Sequence, residues 1–232
     1  MKIVAASDIH GSSLALAKIG GLARENDCDL ILLAGDITVH HLYNDFLYML
    51  EKTAKHGKCP IVLTLGNHDF VEPKKYFPNS ESIINGDKAF TTKSVVCLIE
   101  QCVEYKNFKI WGSPYTNRFG RWNYMRDVQD MKFDIPQDCD ILVTHSPPFG
   151  YGDLTDRSER VGSEALILAI KNTPNLKLCV FGHVHEMLGY ECMIGNTTLL
   201  NVSCHDVRYN FTDRGIRIVN IQKDGVVVDF VS

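Results

Sequence analysis

Residues 29–36 read Asp-Leu-Ile-Leu-Leu-Ala-Gly-Asp, a nearly continuous apolar run that ends in a glycine and an aspartate. Such a run predicts a strand that is covered on both faces, as in the parallel sheets of α/β proteins. Apolar strands are also predicted on either side of it, at residues 3–6 and 60–65. Apolar residues at helical spacing predict helices between these strands, over residues 14–24 and 41–56. This order of elements predicts a parallel sheet with right-handed crossovers.

The remainder of the chain repeats this pattern once and adds further strands. A second strand–helix–strand unit is predicted over residues 140–144, 162–171 and 178–181. The other predicted strands are 94–99, 102–105, 108–112, 197–202, 216–221 and 226–230. An Asp-Gly pair separates the last two strands and is a strong hairpin signal. The sequence therefore predicts an α/β fold of two packed mixed β-sheets flanked by helices, in a single domain over residues 1–232.

Composition excludes several classes of protein. The chain has 232 residues, with 24 Lys and Arg against 28 Asp and Glu, and its formal net charge is −4. Proteins that grip nucleic-acid backbone are usually strongly basic, so stable nucleic-acid binding is not expected. No apolar run approaches the roughly 20 residues of a membrane helix, and the run at residues 3–6 is too short for a signal peptide. The eight cysteines are scattered, which predicts reduced thiols packed in the core of a cytoplasmic protein.

Residue types that ligate metals follow five of the predicted strands. They are Asp8, His10, Asp36, Asn67, His145, His183 and His185. Because ligand sites in α/β sheets lie beyond the carboxyl ends of the strands, these side chains are expected to converge. Carboxylate, amide and imidazole groups suit Mn, Fe or Zn. Seven ligands are too many for one ion with open positions, so the pattern predicts two divalent ions that share one carboxylate.

Each motif has an ordinary structural alternative when it is taken alone. Asp-x-His at residues 8–10 and Gly-Asp at 35–36 are common in surface loops, whereas Gly-Asn-His-Asp at 66–69 and Gly-His-x-His at 182–185 are more specific. Their occurrence in this order, each directly after a predicted strand, favours a metal site over unrelated loops. The glycine that precedes three of the ligands also lets the backbone pass close to a bound ion.

In this pattern the sequence resembles the calcineurin-like metallophosphoesterases. The blocks that carry the resemblance are Asp8-x-His10, Gly35-Asp36, Gly66-Asn67-His68-Asp69, His145 and Gly182-His183-x-His185. They span about three quarters of the chain. A closer similarity to the MPPED (UPF0046, brain protein 239) branch is carried by residues 111–115 (WGSPY), 119–122 (FGRW), 144–148 (THSPP), 160–162 (RVG) and 181–183 (FGH). Cyclic-nucleotide phosphodiesterase activity is known in that branch. Some of its members lack one histidine of the Gly-His-x-His block, and this sequence retains both.

The resemblance implies a metallophosphoesterase-like β-sandwich that holds two divalent metal ions. The ligands of the first ion would be Asp8, His10, Asp36 and His185. Asp36 would also bridge to the second ion, whose other ligands would be Asn67, His145 and His183. Mn²⁺ is the expected metal, and Fe and Zn stay open because the same ligand set suits them.

The resemblance also implies a reaction. A hydroxide that bridges the two ions would attack phosphorus in line, without a covalent enzyme intermediate. His68 and Asp69 would be the catalytic side chains: His68 would face the scissile phosphate, and Asp69 would orient it. The predicted function is hydrolysis of small nucleotide-like phosphodiesters, a class that includes cyclic nucleotides. A phosphomonoesterase or phosphoprotein phosphatase and a non-catalytic binding scaffold on the same fold are the alternatives. A DNA nuclease is disfavoured because the sequence has no basic extension.

The predicted substrate-binding residues are Asn67, His68, Arg121 and Trp122. Aromatic rings stack on bases and arginine pairs with phosphate oxygens, although residues 118–126 could equally form a surface loop with the tryptophan packed inward. The predicted partner is a small phosphoester, with no membrane partner, and the oligomeric state is left open.

Three further residues are candidates for a place beside the metal ligands. They are Asn201, which follows a late strand, and His40 and His41, which follow Asp36 closely. No role is predicted for His205.

Overall fold

The computed structural model describes residues 1–39 and 46–230. Its strands are β1 (Lys2–Ala6), β2 (Leu30–Ala34), β3 (Ile61–Thr64), β4 (Val95–Cys97), β5 (Gln101–Tyr105), β6 (Phe108–Ser113), β7 (Thr116–Asn117), β8 (Met125–Arg126), β9 (Ile141–Thr144), β10 (Leu178–Phe181), β11 (Glu191–Ile194), β12 (Thr197–Asn201), β13 (Arg217–Gln222) and β14 (Gly225–Phe230). Its α-helices are α1 (Ser13–Glu25), α2 (Phe46–Gly57), α3 (Pro73–Tyr76), α4 (Ser80–Ile84) and α5 (Glu164–Lys171).

The fold contains two mixed sheets of six strands, each with four adjacent parallel strands. The first has the order β14-β13-β1-β2-β3-β4, in which β1 to β4 are parallel and the two strands at one edge are antiparallel. The second has the order β11-β12-β10-β9-β6-β5, in which the four central strands are parallel and each edge strand is antiparallel. With helices outside both sheets, this confirms the predicted fold class.

The two faces of β2 explain its continuous apolar sequence. Leu30 and Leu32 face the core between the two sheets, whereas Ile31 and Leu33 face the helices α1 and α2. All four side chains are completely buried. Each contributes about 1.5–3 kcal/mol of apolar burial, so a polar residue is unfavourable at every position of this strand. The helix α5 covers the outer face of the second sheet in the same way.

Two of the helices begin at serine caps that follow site loops. The Ser12 hydroxyl accepts a hydrogen bond from the Ala15 N–H at the start of α1, and the Ser163 hydroxyl accepts one from the Leu166 N–H at the start of α5. A cap of this kind stabilises a helix by about 1 kcal/mol. The caps therefore fix the point at which each loop ends.

The helix predicted over 41–56 is present as α2 from Phe46 onward, and residues 40–45, which include His40 and His41, lie outside the described residues. Other elements differ from the sequence-based expectation. The strand β11 and the helices α3 and α4 were not predicted. Their sequences (ECMI, PKKY and SESII) lack the continuous apolar run that identified strands of the same length, and a helix of one turn is too short to show helical spacing.

All eight cysteines are free; six are buried, and Cys102 and Cys192 are half-buried. This confirms the prediction of unpaired thiols packed in the core. Within residues 1–39 and 46–230, no helix combines the length and the apolar composition that a bilayer crossing needs.

Candidate metal centre

The predicted ligands lie at the carboxyl ends of the central strands, where the two sheets meet. Three side chains come from the first sheet, two or three residues beyond the ends of β1, β2 and β3: Asp8, Asp36 and Asn67. Two come from the second sheet, directly after β9 and β10: His145 and His183. His10 and His185 lie two residues beyond Asp8 and His183 respectively. The structure thus brings the predicted ligands to one edge of the two sheets.

A short parallel bridge joins the two sheets at this edge. It pairs Ser7, which follows β1, with Ser203, which follows β12. The Ser7 N–H donates to the Val202 carbonyl at 2.8 Å, and the Cys204 N–H donates to the Ser7 carbonyl at 3.0 Å. The bridge holds Asp8 of the first sheet against the loops of the second.

Asp8, His10 and His185 form the first cluster. The His185 Nε2 lies 3.3 Å from both Asp8 Oδ1 and His10 Nε2, and His10 Nε2 lies 3.9 Å from Asp8 Oδ1. The other carboxylate oxygen of Asp8 accepts a hydrogen bond from the Ser203 hydroxyl at 2.7 Å. One oxygen and two ring nitrogens therefore face a common point, as a divalent cation requires.

Asp36, His145 and His183 form the second cluster. The His145 Nε2 lies 3.2 Å from Asp36 Oδ2 and 3.0 Å from the side-chain oxygen of Asn67. The rings of His145 and His183 are 5.0 Å apart between centroids. The structure thus brings the four predicted ligands of the second ion together.

Asp36 also connects the two clusters. Its carboxylate, with His10 and His68, forms a third group whose ligand atoms lie within 4.8 Å of one another. The His68 N–H donates to Asp36 Oδ1 at 2.8 Å, and the His68 Nε2 lies 3.9 Å from Asp36 Oδ2. A shared Asp36 agrees with the predicted bridging carboxylate, and His68 lies beside it.

Hydrogen bonds to the backbone orient two of the imidazoles for metal binding. The Nδ1 of His145 pairs with the Ala34 carbonyl at 2.9 Å, and the Nδ1 of His185 pairs with the Asp206 carbonyl at 3.0 Å. A carbonyl only accepts, so each Nδ1 carries a proton and each Nε2 faces the cluster, where it can ligate a cation once its own proton is lost. The donor set and its orientation fit two divalent cations.

The carboxylates and imidazoles of the clusters perturb one another strongly. Burial opposes ionisation of Asp8 and Asp36, but the facing imidazoles outweigh it and hold the pKa of both carboxyls below the usual range. Burial alone would lower the pKa of His145 and His185, but Asp36 and Asp8 respectively raise each to about 9. Burial, together with the charge on His145, lowers the pKa of His183 to about 3. In the metal-free protein His145 and His185 are therefore positively charged at neutral pH, and their charge takes the place of the charge of the cations.

Four of the predicted ligands have a strained backbone conformation. Asp8, His10, Asp36 and His183 all have positive φ, between 46° and 72°. These values are uncommon for residues other than glycine, and such strain persists where the surrounding structure imposes it. At Gly66 a Cβ would lie 2.3 Å from Asp36 Oδ1. Glycine at position 66 therefore lets this loop pack closely against Asp36, while the predicted approach of the backbone to a bound ion stays a prediction.

Asp69 is completely buried and holds two of the ligand loops together. Its carboxylate accepts hydrogen bonds from the N–H groups of Ile37, Thr38 and Gly66, at 2.7 to 3.1 Å, and from the Thr38 hydroxyl at 2.9 Å. Burial and the nearby charge of Asp36 raise the pKa of Asp69 to about 7. These contacts make Asp69 a positioning residue for the Asp36 loop. Its predicted orienting contact with His68 stays a prediction.

Aromatic side chains lie against histidines at both ends of the combined ligand clusters. The Trp122 ring lies 4.3 Å from the His68 ring and the Phe119 ring lies 5.3 Å from the His183 ring, both measured between centroids. On the other side, the Tyr209 ring lies 4.9 Å from His10 and 5.4 Å from His185. Trp122 is therefore both half-buried, as in the structural alternative, and in contact with the site.

The arginines of residues 118–126, the segment that carries Phe119 and Trp122, have different surroundings. Arg118 pairs with Asp127, and Arg126 pairs with Glu100, so both guanidinium groups are held by carboxylates of this chain. Arg121 is exposed. Its contact with substrate stays a prediction.

Four supporting residues in segment 203–209 were missed by sequence reasoning. Besides Ser203, the Nδ1 of His205 pairs with the Asp8 carbonyl at 2.7 Å, Asp206 orients His185, and Tyr209 contacts two ligands. Polar residues directly after a predicted strand identify the metal ligands, and the Ser-Cys-His-Asp run after the strand predicted at 197–202 shows the same pattern.

Asn201, a candidate for a place beside the ligands, donates its side-chain N–H to the Val184 carbonyl at 3.0 Å. It therefore holds the peptide between His183 and His185.

Known sequences resemble this chain over most of its length. Metallophosphoesterase domain-containing protein 1 of Homo sapiens is 28% identical over 211 residues, which cover 78% of this chain and 61% of the human protein. A UPF0046 protein of Caenorhabditis elegans is 27% identical over 198 residues, which cover 75% of this chain and 50% of that protein. The chain thus spans less than two thirds of the length of these relatives.

The fold is also that of a solved structure. Protein TT1561 of Thermus thermophilus superposes with a TM-score of 0.66 at 14% identity, over 99% of this chain and 98% of that one. The sequence profile of the calcineurin-like phosphoesterases matches residues 1–187 and so includes every predicted metal ligand. The chain therefore belongs to the calcineurin-like phosphoesterase family.

Proposed function

We propose that this protein is a metal-dependent phosphodiesterase that hydrolyses small nucleotide-like phosphodiesters, a class that includes cyclic nucleotides. Family membership and the two ligand clusters joined by Asp36 support a phosphoesterase with two divalent cations. The free, packed cysteines support a reducing compartment, and we place the protein in the cytoplasm.

The preference for diesters rests on the aromatic surfaces at both ends of the cluster. Phe119 lies at the His183 end, and Tyr209 lies at the His10 and His185 end. Both rings are about half exposed, at 57% and 54%. A phosphodiester has two ester substituents, whereas a monoester has one. A phosphate held between the two surfaces would therefore gain stacking contacts on both sides only as a diester with planar substituents.

The cations would be held by the two clusters. The residues that would hold them are Asp8, His10, Asp36, Asn67, His145, His183 and His185. We propose Mn²⁺ as the native metal, with Fe and Zn as alternatives for the same donors. Bound cations would activate a water molecule and neutralise the charge of the phosphoryl oxygens.

His68 would act on the leaving group. Its ring is held between His10 and Trp122, with centroids 4.9 and 4.3 Å away, and its side chain is mostly buried. In hydrolysis a bond forms between phosphorus and the water oxygen, and the bond from phosphorus to the ester oxygen breaks. A proton held at His68 Nε2 would go to that departing oxygen, a step worth about 10²–10⁴-fold in rate.

The test compares bis(p-nitrophenyl) phosphate with p-nitrophenyl phosphate as substrates of metal-stripped protein, with and without added Mn²⁺. The proposal expects Mn²⁺-dependent turnover that favours the diester and is lost in Asp36→Asn. Asp134→Asn is the matched control, because Asp134 is an exposed carboxylate paired only with Lys132 among the described residues. Preference for the monoester would indicate a phosphatase instead. Absence of both turnover and bound metal with Mn²⁺, Zn²⁺ and Fe²⁺ would indicate a binding scaffold.

A further inference from the structure

Tyr209 lies outside the family-matched region and outside the motifs that identify the site. The profile match ends at residue 187. The Tyr209 ring nevertheless contacts the imidazoles of His10 and His185, and its centroid lies 6.4 Å from that of His68. With half of the side chain exposed, one part of the ring packs on the first cluster and the other part faces solvent.

The loop that carries Tyr209 is a closed, hydrogen-bonded turn. The Asp206 carboxylate accepts hydrogen bonds from the N–H groups of Arg208 and Asn210, at 2.8 and 2.9 Å, and from the Asn210 side chain at 3.1 Å. The Tyr209 N–H donates to the Asp206 carbonyl at 2.9 Å. That same carbonyl accepts the hydrogen bond that orients His185. The turn is therefore built onto a metal ligand.

Within this turn the backbone of Tyr209 is strained. Its φ is +60°, a conformation that is unfavourable for a bulky aromatic residue. Strain retained at a site and directed to an exposed position is typical of a functional constraint.

The three aromatic rings also differ in their distance from His68. The Trp122 ring is 4.3 Å away and the Tyr209 ring is 6.4 Å away, while Phe119 contacts the second cluster. The leaving group must lie within reach of His68, which places it on the side of segment 119–122, the segment that carries both Phe119 and Trp122. The substituent that stays on the phosphate then lies on the opposite side, where Tyr209 packs against the first cluster.

We propose that Tyr209 determines specificity by stacking on the planar substituent that the phosphodiester retains after cleavage, such as a nucleobase-bearing group. The inference rests on the proposed phosphodiesterase function. It assigns to segment 206–210 a role in choosing the substrate, which is separate from the roles of the metal ligands in the reaction.

The test uses two diesters with the same leaving group: phenyl p-nitrophenyl phosphate and methyl p-nitrophenyl phosphate. Only the retained substituent differs, so the ratio of their kcat/KM values reports recognition of a planar group. The wild-type ratio is measured with Mn²⁺ and compared with the ratio for Tyr209→Leu. Because intrinsic reactivities are the same for every variant, only a change in the ratio is interpreted. We expect Tyr209→Leu to lower the ratio by about tenfold, chiefly through KM for the phenyl ester.

Two further variants control for the loss of the side chain. Tyr209→Phe keeps the ring and is expected to keep the wild-type ratio. Tyr48→Leu removes a similarly exposed tyrosine, 65% exposed, from α2 and is expected to leave both rates unchanged. An equal loss on both esters in Tyr209→Leu would overturn the proposal, because it would indicate support of His10 and His185 only. A ratio unchanged in Tyr209→Leu but lost in Phe119→Leu would also overturn it. If the wild type hydrolyses neither ester, the proposed function fails instead.

Discussion

Gly66→Ala tests whether the close packing of the ligand loops sets the position of Asp36. The added Cβ would lie 2.3 Å from Asp36 Oδ1, 2.5 Å from the Asp36 nitrogen and 2.8 Å from a ring carbon of His145. Ordinary contact for such a carbon begins at 3.4 Å, so Asp36 must retreat by about 1 Å. Two of the three obstructing atoms belong to the residue that joins both clusters. The change therefore displaces Asp36 itself, through both its carboxylate and its backbone nitrogen.

A displacement of this size should be visible in binding and in rate. Misplacement of a reacting or positioning group by about 1 Å costs on the order of 10²-fold in rate, and overpacking costs about 1–3 kcal/mol of unfolding free energy. We expect Gly66→Ala to fold, to bind Mn²⁺ more weakly in calorimetric titration of metal-stripped protein, and to lose about 10²-fold in kcat on bis(p-nitrophenyl) phosphate.

Gly21→Ala is the matched control for this substitution. Gly21 lies in α1, where an added Cβ meets no atom within 4 Å. Alanine there should raise the unfolding free energy in urea by about 0.5–1 kcal/mol and leave metal binding unchanged. A Gly66→Ala protein with wild-type Mn²⁺ affinity and kcat would refute the argument that this packing positions Asp36.

Four further predictions concern proton release, the pH dependence of stability, His68 and the thiols. The pKa values of His145 and His185 are raised to about 9 in the metal-free protein, so Mn²⁺ binding at pH 7 should release about two protons and should become tighter as pH rises toward 9. Calorimetry in buffers of different ionisation enthalpy measures the number of protons released. Mn²⁺ binding without proton release would contradict the prediction. The unfolding free energy of the metal-free protein should also fall as pH rises from about 6.5 to 9. The protonated imidazoles of His145 and His185 stabilise the folded state, and this stabilisation is lost as they deprotonate. His68→Ala should lower kcat on an unactivated diester by about 10²–10⁴-fold, and a change of only a few-fold would remove His68 from the reaction. Burial raises the pKa of Cys28 to about 11 and of Cys59 to about 12, so a thiol reagent should label at most Cys102 and Cys192 in the native protein and all eight cysteines after unfolding in guanidinium.

The part of the site that could be predicted is the part encoded by local sequence. Asp8, Asp36 and His183 each follow a strand that is apolar enough to be recognised, and the end of a strand fixes where the next side chain lies. The continuous run of β2 likewise required cover on both faces, which α1, α2 and the second sheet provide. In these cases a few neighbouring residues carry all of the information.

The support around the ligands could not be predicted in the same way. Ser203 reaches the Asp8 carboxylate across 195 residues of chain, and no local pattern reports that contact. Asp69 was assigned beside His68 by resemblance, but its hydrogen bonds to Ile37, Thr38 and Gly66 depend on how two loops meet in space. Long-range packing decides such contacts, and the periodicity of a single segment does not contain it.

The bridge between Ser7 and Ser203 has a consequence for the order of events during synthesis. Asp8 is held by Ser203 and His205, so the ligand that is made first is completed by residues made about 200 positions later. During translation the early strands emerge long before the segment that completes their metal site. Closing so long a loop costs chain entropy before the contact can stabilise the fold. We therefore expect metal binding only after synthesis has passed His205, since a nascent fragment that ends before Ser203 lacks the contacts that fix Asp8.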